Sequence, residues 1–173
     1  AFYYDKTAFS DAGLSESDVP QTWTQLLDVA QKLTTSDRFG VAFETGPGYY
    51  QNFTWYPFMW EGGAELVNKD GKTSGMRDAG AVQALKLWQD AINSGAAPRK
   101  FLGNGGGDVA ANLGVGYTAI QNCGIWGISA MTANAPDVDY GIFKLPIPEG
   151  GASSTVAGGW AFVANAKGKD PET

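Results

Sequence analysis

Fifteen residues, from Tyr49 to Gly63, combine seven aromatic rings with three side chains that carry planar polar groups, Gln51, Asn52 and Glu61. Tyr and Trp have polar tips that need partners or water, so they favour positions where apolar and wet surroundings meet. The wall of a polar pocket is such a position. The C–H faces of a pyranose lie on flat rings, while its hydroxyl groups need donors and acceptors in the ring plane. The stretch therefore predicts a surface that binds carbohydrate.

Other interpretations of these residues stay open. A core helix would account for Phe53, Phe58 and Met59 equally well. A glycoside hydrolase would need two carboxylates that face the scissile bond at a set separation. No spacing pairs the available carboxylates, which are Glu44, Glu61, Glu65 and Asp108. Glu61, next to a Gly pair, fits a solvated helix end. A lectin-like adhesion module would bind a sugar without any closure of two domains.

The composition is that of a globular chain and argues against several classes of function. The 173 residues, 43% hydrophobic and 17% charged, suffice for one domain with a core. A net charge of -6 and scattered basic residues argue against nucleic-acid binding. The chain has no His, which excludes Ser/His/Asp and Cys/His catalysis and His-based metal sites. A single Cys, Cys123, cannot form an intrachain disulfide. We expect no cofactor. We also expect no membrane-spanning segment, because no apolar run approaches the length that crosses a bilayer.

Strands and helices alternate along the chain without repeats, which predicts an α/β fold. Thr22 is a candidate N-cap, followed by apolar residues at three- and four-residue spacing to about Thr34. A second helix is predicted from Phe53 to Glu61. A third, between Asp78 and Gly95, carries a predicted apolar stripe. The residues of this stripe are Val82, Leu85, Trp88 and Ile92.

Two strands lead into candidate binding elements. The predicted strands are Phe2–Tyr4, Phe39–Phe43, Tyr117–Gln121, Tyr140–Lys144 and Thr155–Asn165. After the third of them, a turn places Trp126 near the start of a helix from about Ile125 to Ala133, where free backbone N–H groups can bind polar ligand atoms. Gly158 and Gly159 interrupt the last strand, which is typical of a bulge or of close approach by a ligand.

Short motifs follow one another in a constant order along nearly the whole chain. They are Tyr3-Tyr4-Asp5-Lys6, Pro20-Gln21-Thr22-Trp23, Trp55 to Trp60 with Gly62-Gly63, Asp70-Gly71-Lys72, Gly124-Ile125-Trp126, Leu145-Pro146-Ile147-Pro148 and Gly158-Gly159-Trp160. Each motif alone is weak. Their order and spacing make the chain resemble the extracellular solute-binding proteins of sugar ABC transporters, whose best-known members bind maltose and related oligosaccharides.

The resemblance implies a two-lobed periplasmic-binding-protein fold of type II, in which each lobe has a mixed sheet flanked by helices. Residues 1–173 would be most of the C-terminal lobe, with the N-terminal lobe and any export signal before Ala1 and the last helices after Thr173. The ligand would lie between lobes that close by a hinge motion, and a membrane ABC permease would recognise the closed form. The implied function is non-catalytic capture of a sugar outside the cytoplasm, in the periplasm or at a lipid-anchored cell surface.

The resemblance also implies individual binding residues. Trp126 matches the ring of the family's Gly-x-Trp motif that stacks on a sugar, although the family often has Pro at the position of Ile125. Trp160 matches the ring of the Gly-Gly-Trp motif, and Gly158 and Gly159 would let the main chain approach hydroxyl groups. A plain core role remains the alternative for both Trp residues.

Three further contacts are implied at the start of the aromatic stretch. Tyr49, Tyr50 and Asn52 match the loop and helix start that contact the ligand in relatives. Trp60 is expected to pack beneath the site.

Overall fold

The structure is a computed structural model that describes residues 1–103, 108–159, 161–165 and 167–168. Within these ranges four strands form one mixed sheet in the order β2-β3-β1-β4. The strands are β1 (Phe2–Asp5), β2 (Phe39–Ala42), β3 (Thr118–Asn122) and β4 (Tyr140–Phe143). Strand β1 pairs antiparallel with both β3 and β4, and β2 pairs parallel with β3. The first four strand predictions are therefore confirmed to within one residue at each end.

Helices cover both faces of this sheet. They are α1 (Lys6–Asp11), α2 (Trp23–Leu33), α3 (Tyr49–Glu61), α4 (Ala79–Asn93), α5 (Val109–Leu113) and α6 (Gly127–Asn134), with 3-10 turns at Glu16–Asp18 and Gly75–Arg77. Successive side chains of a strand point to opposite faces. Phe2 and Tyr4 accordingly pack into the larger core with α1 to α4, while Tyr3 packs into a second core with α5 and α6. The predicted α/β class is confirmed.

The start of α2 follows from its capping residues. The Thr22 hydroxyl accepts a hydrogen bond from the Gln25 amide at 3.2 Å, and the Gln25 side chain accepts one from the Thr22 amide at 3.2 Å. This reciprocal pair satisfies two amides that the helix leaves free. The predicted N-cap is confirmed, and the helix buries one continuous face. That face consists of Trp23, Leu26, Val29, Ala30 and Leu33.

Helix α3 begins at Tyr49, four residues earlier than predicted. Gly48, with φ of 147°, takes a conformation that other residues rarely adopt, so the chain turns there and the helix starts at once. Its inner face buries Phe58 and Met59, as the interpretation as a core helix expected. Phe53, which the same interpretation assigned to the core, is only partly buried.

The predicted apolar stripe of α4 is half right, because Trp88 is buried and Ile92 packs against the core. Val82 and Leu85 are half exposed, whereas the buried face carries mostly small residues. That face consists of Gly80, Ala81, Ala84, Leu87, Trp88 and Ala91. Close packing explains the difference, because a Cβ atom at Gly80 would lie 2.2 Å from the carbonyl oxygen of Gly62. The helix therefore approaches the end of α3 on the side where its residues are small.

The predicted strand from Thr155 to Asn165 is also wrong. Residues 151–159 and 161–165 form neither strand nor helix, and Trp160 lies outside the described residues. The chain instead runs along α3, where the Ala152 amide donates to the carbonyl oxygen of Glu61 at 3.2 Å. At that point its main-chain partner is a helix end and not the edge of the sheet.

Candidate ligand-binding site

A cavity of about 290 Å³ opens where β3 ends. Helix α3 contributes Phe53, Thr54 and Pro57 to its lining, residues 122–126 form a second side, and residues 155–158 form a third. In open α/β sheets, ligands bind beyond the carboxyl ends of the strands. The position of this cavity fits that rule.

Two aromatic rings, those of Phe53 and Trp126, line the cavity, and the Tyr50 ring packs against both of them. The rings of Tyr50 and Phe53 stack on one face of α3 with centroids 6.1 Å apart, and the Trp126 ring lies 5.8 Å from each of them. Trp126 is 40% exposed, so the interpretation of this residue as a plain core Trp is excluded. Together the three rings form an aromatic surface that is partly open to a ligand.

The turn before α6 determines where the Trp126 ring lies. The Tyr3 hydroxyl donates to the Gly124 carbonyl oxygen at 2.8 Å, and the Gly127 amide donates to the same residue at 3.1 Å. A Cβ atom at Gly124 would lie 2.1 Å from the Trp126 ring. Only Gly therefore allows the ring to fold back over the turn toward α3. Ile125 is 80% exposed at the tip of this turn.

The described side chains that line the cavity are uncharged, and Ala1, which carries the amino group of the chain, also lines it. Of the described residues that line it, none has a charged side chain, and its polar side chains are Thr54, Asn122 and Thr155. The Tyr50 hydroxyl lies 4.0 Å from the sulfur of Cys123, a residue of the lining. Burial, and then the nearby thiol, raise the pKa of Tyr50, and burial raises the pKa of Cys123. Both groups are therefore uncharged at neutral pH, and the cavity suits an uncharged ligand with apolar faces.

The other predicted binding residues lie at different distances from this cavity. Gly158 lines it, and a Cβ atom there would lie 2.6 Å from the Phe53 ring. Gly159 is exposed next to it, and Tyr49 is 81% exposed at the start of α3. Asn52 does not share the cavity. It lies on the opposite side of α3, where it lines a separate cavity of about 180 Å³ with Gln51 and Trp55. The predicted role of Trp160 falls outside the described residues.

The carboxylates that a hydrolase would need do not face the cavity. Asp108 caps α5, where its side chain accepts from the Ala111 amide at 3.3 Å. Glu44 and Glu61 are 3% and 1% exposed, and neither lines the cavity. The expectation that Glu61 lies at a solvated helix end is wrong, because the chain that follows β4 folds back over the end of α3. Burial raises the pKa of Glu61 to about 7.

The family model for bacterial extracellular solute-binding proteins matches residues 1–173 of the chain. The chain belongs to this family. Among curated relatives, a putative binding protein of Brucella abortus is 28% identical over 174 residues, which cover 98% of this chain and 41% of the relative.

Solved structures of solute-binding proteins share the fold. The cyclic α-maltosyl-1,6-maltose binding protein of Arthrobacter globiformis is 23% identical with a TM-score of 0.74, over 88% of this chain and 38% of that one. An ABC transporter solute-binding protein of Thermotoga lettingae, bound with α-D-tagatose, is 24% identical with a TM-score of 0.76, over 88% and 40%. The predicted periplasmic-binding-protein fold of type II is confirmed.

The chain spans about two fifths of the length of these relatives. In the part of it that the structure describes, no helix combines the length and apolar character needed to cross a membrane.

Several residues of the site in this solute-binding chain escaped the sequence analysis. Phe53 was left open between the aromatic binding stretch and a core helix, Cys123 was considered only for a disulfide, and Thr54 and Asn122 were not considered. A signal for two of them was present, since Tyr50, Phe53 and Thr54 are spaced so that they share one helix face. Asn122 and Cys123 come directly before the Gly-x-Trp motif, so the end of the strand was a second signal.

Proposed function

We propose that this chain is the C-terminal lobe of a two-lobed protein that captures a neutral sugar or oligosaccharide outside the cytoplasm. The protein delivers the unaltered sugar to a membrane ABC permease. The observation that supports this proposal is the pair of rings of Phe53 and Trp126, packed against Tyr50, on a cavity without charged side chains.

The chemistry of the cavity supports a sugar as the ligand. A pyranose or furanose has apolar C–H faces that pack against Trp and Phe rings, while its hydroxyl groups exchange hydrogen bonds with side chains such as Asn122 and Thr54. A phosphorylated or ionised ligand would favour cationic side chains, and the described lining offers none. The cationic group that does line the cavity is the amino group of Ala1, and burial lowers its pKa. The ligands named for the two structural neighbours, tagatose and a cyclic maltosyl-maltose, are consistent with this choice.

The proposal of a second lobe rests on the length of the chain relative to its relatives and on the exposed rim of the cavity. Of the residues that line it, Ile125 is 80% exposed and Trp126 is 40% exposed. An opposing lobe that closes over these residues would remove them from water and strengthen binding. The permease would then recognise the closed form. Members of the family lie outside the cytoplasm. For this protein we propose a location either in the periplasm or at the cell surface, held there by a lipid anchor.

Catalysis is not part of the proposal. Hydrolysis of a glycosidic bond needs two carboxyl groups on either side of that bond, and Glu44 and Glu61 lie away from the described lining. Incubation with oligosaccharides should release no reducing sugar.

The proposal is tested by calorimetric titration of the two-lobed protein with neutral mono- and oligosaccharides and with a sugar phosphate. We expect at least one neutral sugar to bind with a Kd of about 1 μM, which corresponds to about 8 kcal/mol, and the sugar phosphate to bind far more weakly. Residues 1–173 alone should bind the same sugar much more weakly. Absence of binding by every neutral sugar, or preference for the phosphate, would overturn the proposal.

A further inference from the structure

Segment 151–158 forms one wall of the cavity, and its beginning is attached to the end of α3. The Gly151 amide donates to the Pro148 carbonyl oxygen at 2.9 Å, and the Ala152 amide donates to the main-chain oxygen of Glu61 at 3.2 Å. Further along, the main chain at Gly158 lies against the Phe53 ring. The segment thus spans α3 from its last residue to the ring that lines the cavity.

The side chain of Glu61 is buried under the start of this segment. It is 1% exposed, and neither carboxyl oxygen has a hydrogen-bond partner of good geometry. The indole N–H of Trp23 and the amide of Ser154 approach the carboxyl group and favour its ionised form, but they do not offset the loss of water. Burial is therefore the dominant effect, and it raises the pKa of Glu61 to about 7.

We propose that Glu61 is a positioning residue for the cavity wall: its neutral carboxyl group keeps segment 151–158 seated on α3, and its ionised form loosens that segment and weakens ligand binding. The effect on the ligand rests on the proposed function. The effect on the segment does not.

The physical reason lies in the cost of a buried charge. An ionised carboxylate without hydrogen bonds is costly in apolar surroundings, and water is the partner most readily recruited. Water must enter past one of the elements that cover the carboxyl group. Helices α2 and α3 are joined by core contacts such as the one between Trp23 and Phe58, with ring centroids 6.2 Å apart. Segment 151–158 is mostly exposed and has no regular secondary structure, so it opens at the lowest cost.

One other charged group acts on this carboxyl group among the residues that the structure describes. The amino group of Ala1 attracts the carboxylate and lowers the pKa of Glu61. Removing that charge would raise the pKa further, so the direction of the effect does not depend on it. Because the pKa is raised in the folded state from its ordinary value of 4.5, Glu61 stabilises the seated segment below about pH 4.5, and this contribution is lost as the pH rises through about 7.

The test is hydrogen exchange of peptides from segment 151–158, measured by mass spectrometry and corrected for intrinsic exchange rates. In the unmodified chain, protection should fall several-fold between about pH 5.5 and about pH 8.5. Glu61→Gln, which keeps the shape and removes the charge, should give equal protection at both pH values. Glu65→Gln, at an exposed position four residues further along, is the matched control and should behave like the unmodified chain.

Equal protection of the unmodified segment at both pH values would overturn the inference, and so would a pH response that persists in Glu61→Gln. If that variant does not fold, the unmodified chain alone still decides. The exchange measurement needs no ligand, so a failure of the proposed function leaves it interpretable. Where a sugar ligand is found, its affinity should fall over the same pH range in the unmodified protein and stay constant in Glu61→Gln.

Discussion

The Trp126 ring meets the Tyr50 ring edge to face, with centroids 5.8 Å apart and planes at 65°. One ring comes from the turn after β3 and the other from the first turn of α3, so the contact joins two elements that are distant in sequence. Aromatic pairs prefer this geometry, which leaves the face of one ring free while its edge is held. The pair is therefore both a packing contact and an open surface for a ligand.

Trp126→Ala should weaken sugar binding by the two-lobed protein by about 2 kcal/mol, because it removes the exposed ring of this surface. Calorimetric titration measures the change. Ile128→Ala is the matched control, since Ile128 is 46% exposed two residues further along, in α6, but does not line the cavity. If both variants bind as well as the unmodified protein, Trp126 is not part of the binding site.

Gly158→Ala should impair binding, whereas Gly159→Ala should not. A Cβ atom at Gly158 would lie 2.6 Å from the Phe53 ring, so either the ring or the cavity wall must move. At Gly159 a Cβ atom meets nothing within 4 Å. We expect at least a several-fold loss of affinity in the first variant and an unchanged affinity in the second, measured side by side with the same sugar. Equal affinities would show that segment 151–158 adapts freely and does not shape the cavity.

Local signals in the sequence predicted most of the fold. The reciprocal cap of Thr22 and Gln25 and the turn at Gly95, with φ of 81°, depend on residues close to one another in the chain, so the sequence specifies them directly. The failures involve distant contacts. The apolar residues of α4 fit more than one face, and only the close approach of Gly80 to Gly62 selects the face with small side chains.

The candidate site was partly predictable for the same reason. Trp126 follows a strand and a Gly, a local arrangement that indicated its exposed position. The placement of Asn52 on the opposite side of α3 from the cavity depends on the true start of the helix and on which faces of it are covered. The burial of Glu61 depends on segment 151–158, whose path the sequence does not indicate.

Thr22→Ala should lower the free energy of unfolding by about 1 kcal/mol, because the amides at the start of α2 lose a hydrogen-bond acceptor. Urea unfolding followed by circular dichroism measures the loss. Gln31→Ala, at an exposed position in the same helix, should change stability by less than about 0.5 kcal/mol. A Thr22→Ala variant as stable as the unmodified chain would show that water replaces the cap without cost.

Glu61→Gln should stabilise the chain at about pH 8.5, by about 2 kcal/mol, and leave its stability nearly unchanged at about pH 5. The burial that raises the pKa of Glu61 to about 7 makes the ionised form costly in the folded state, whereas the unfolded chain ionises this group at its ordinary pKa of 4.5. The unmodified chain therefore loses stability as the pH rises from about 4.5 through about 7, and the amide variant does not. Urea unfolding at a series of pH values measures the difference between the two proteins.

The difference in free energy of unfolding between the unmodified chain and Glu61→Gln cancels the contributions of the other titratable groups. Glu65→Gln is the control for the loss of one negative charge from a chain with a net charge of -6. Because Glu65 is exposed, its substitution should change the free energy of unfolding by less than about 0.5 kcal/mol. A Glu61→Gln variant whose advantage is the same at both ends of the range would mean that water already reaches the carboxyl group in the folded protein. In that case the wall formed by segment 151–158 would be open whether or not Glu61 is ionised.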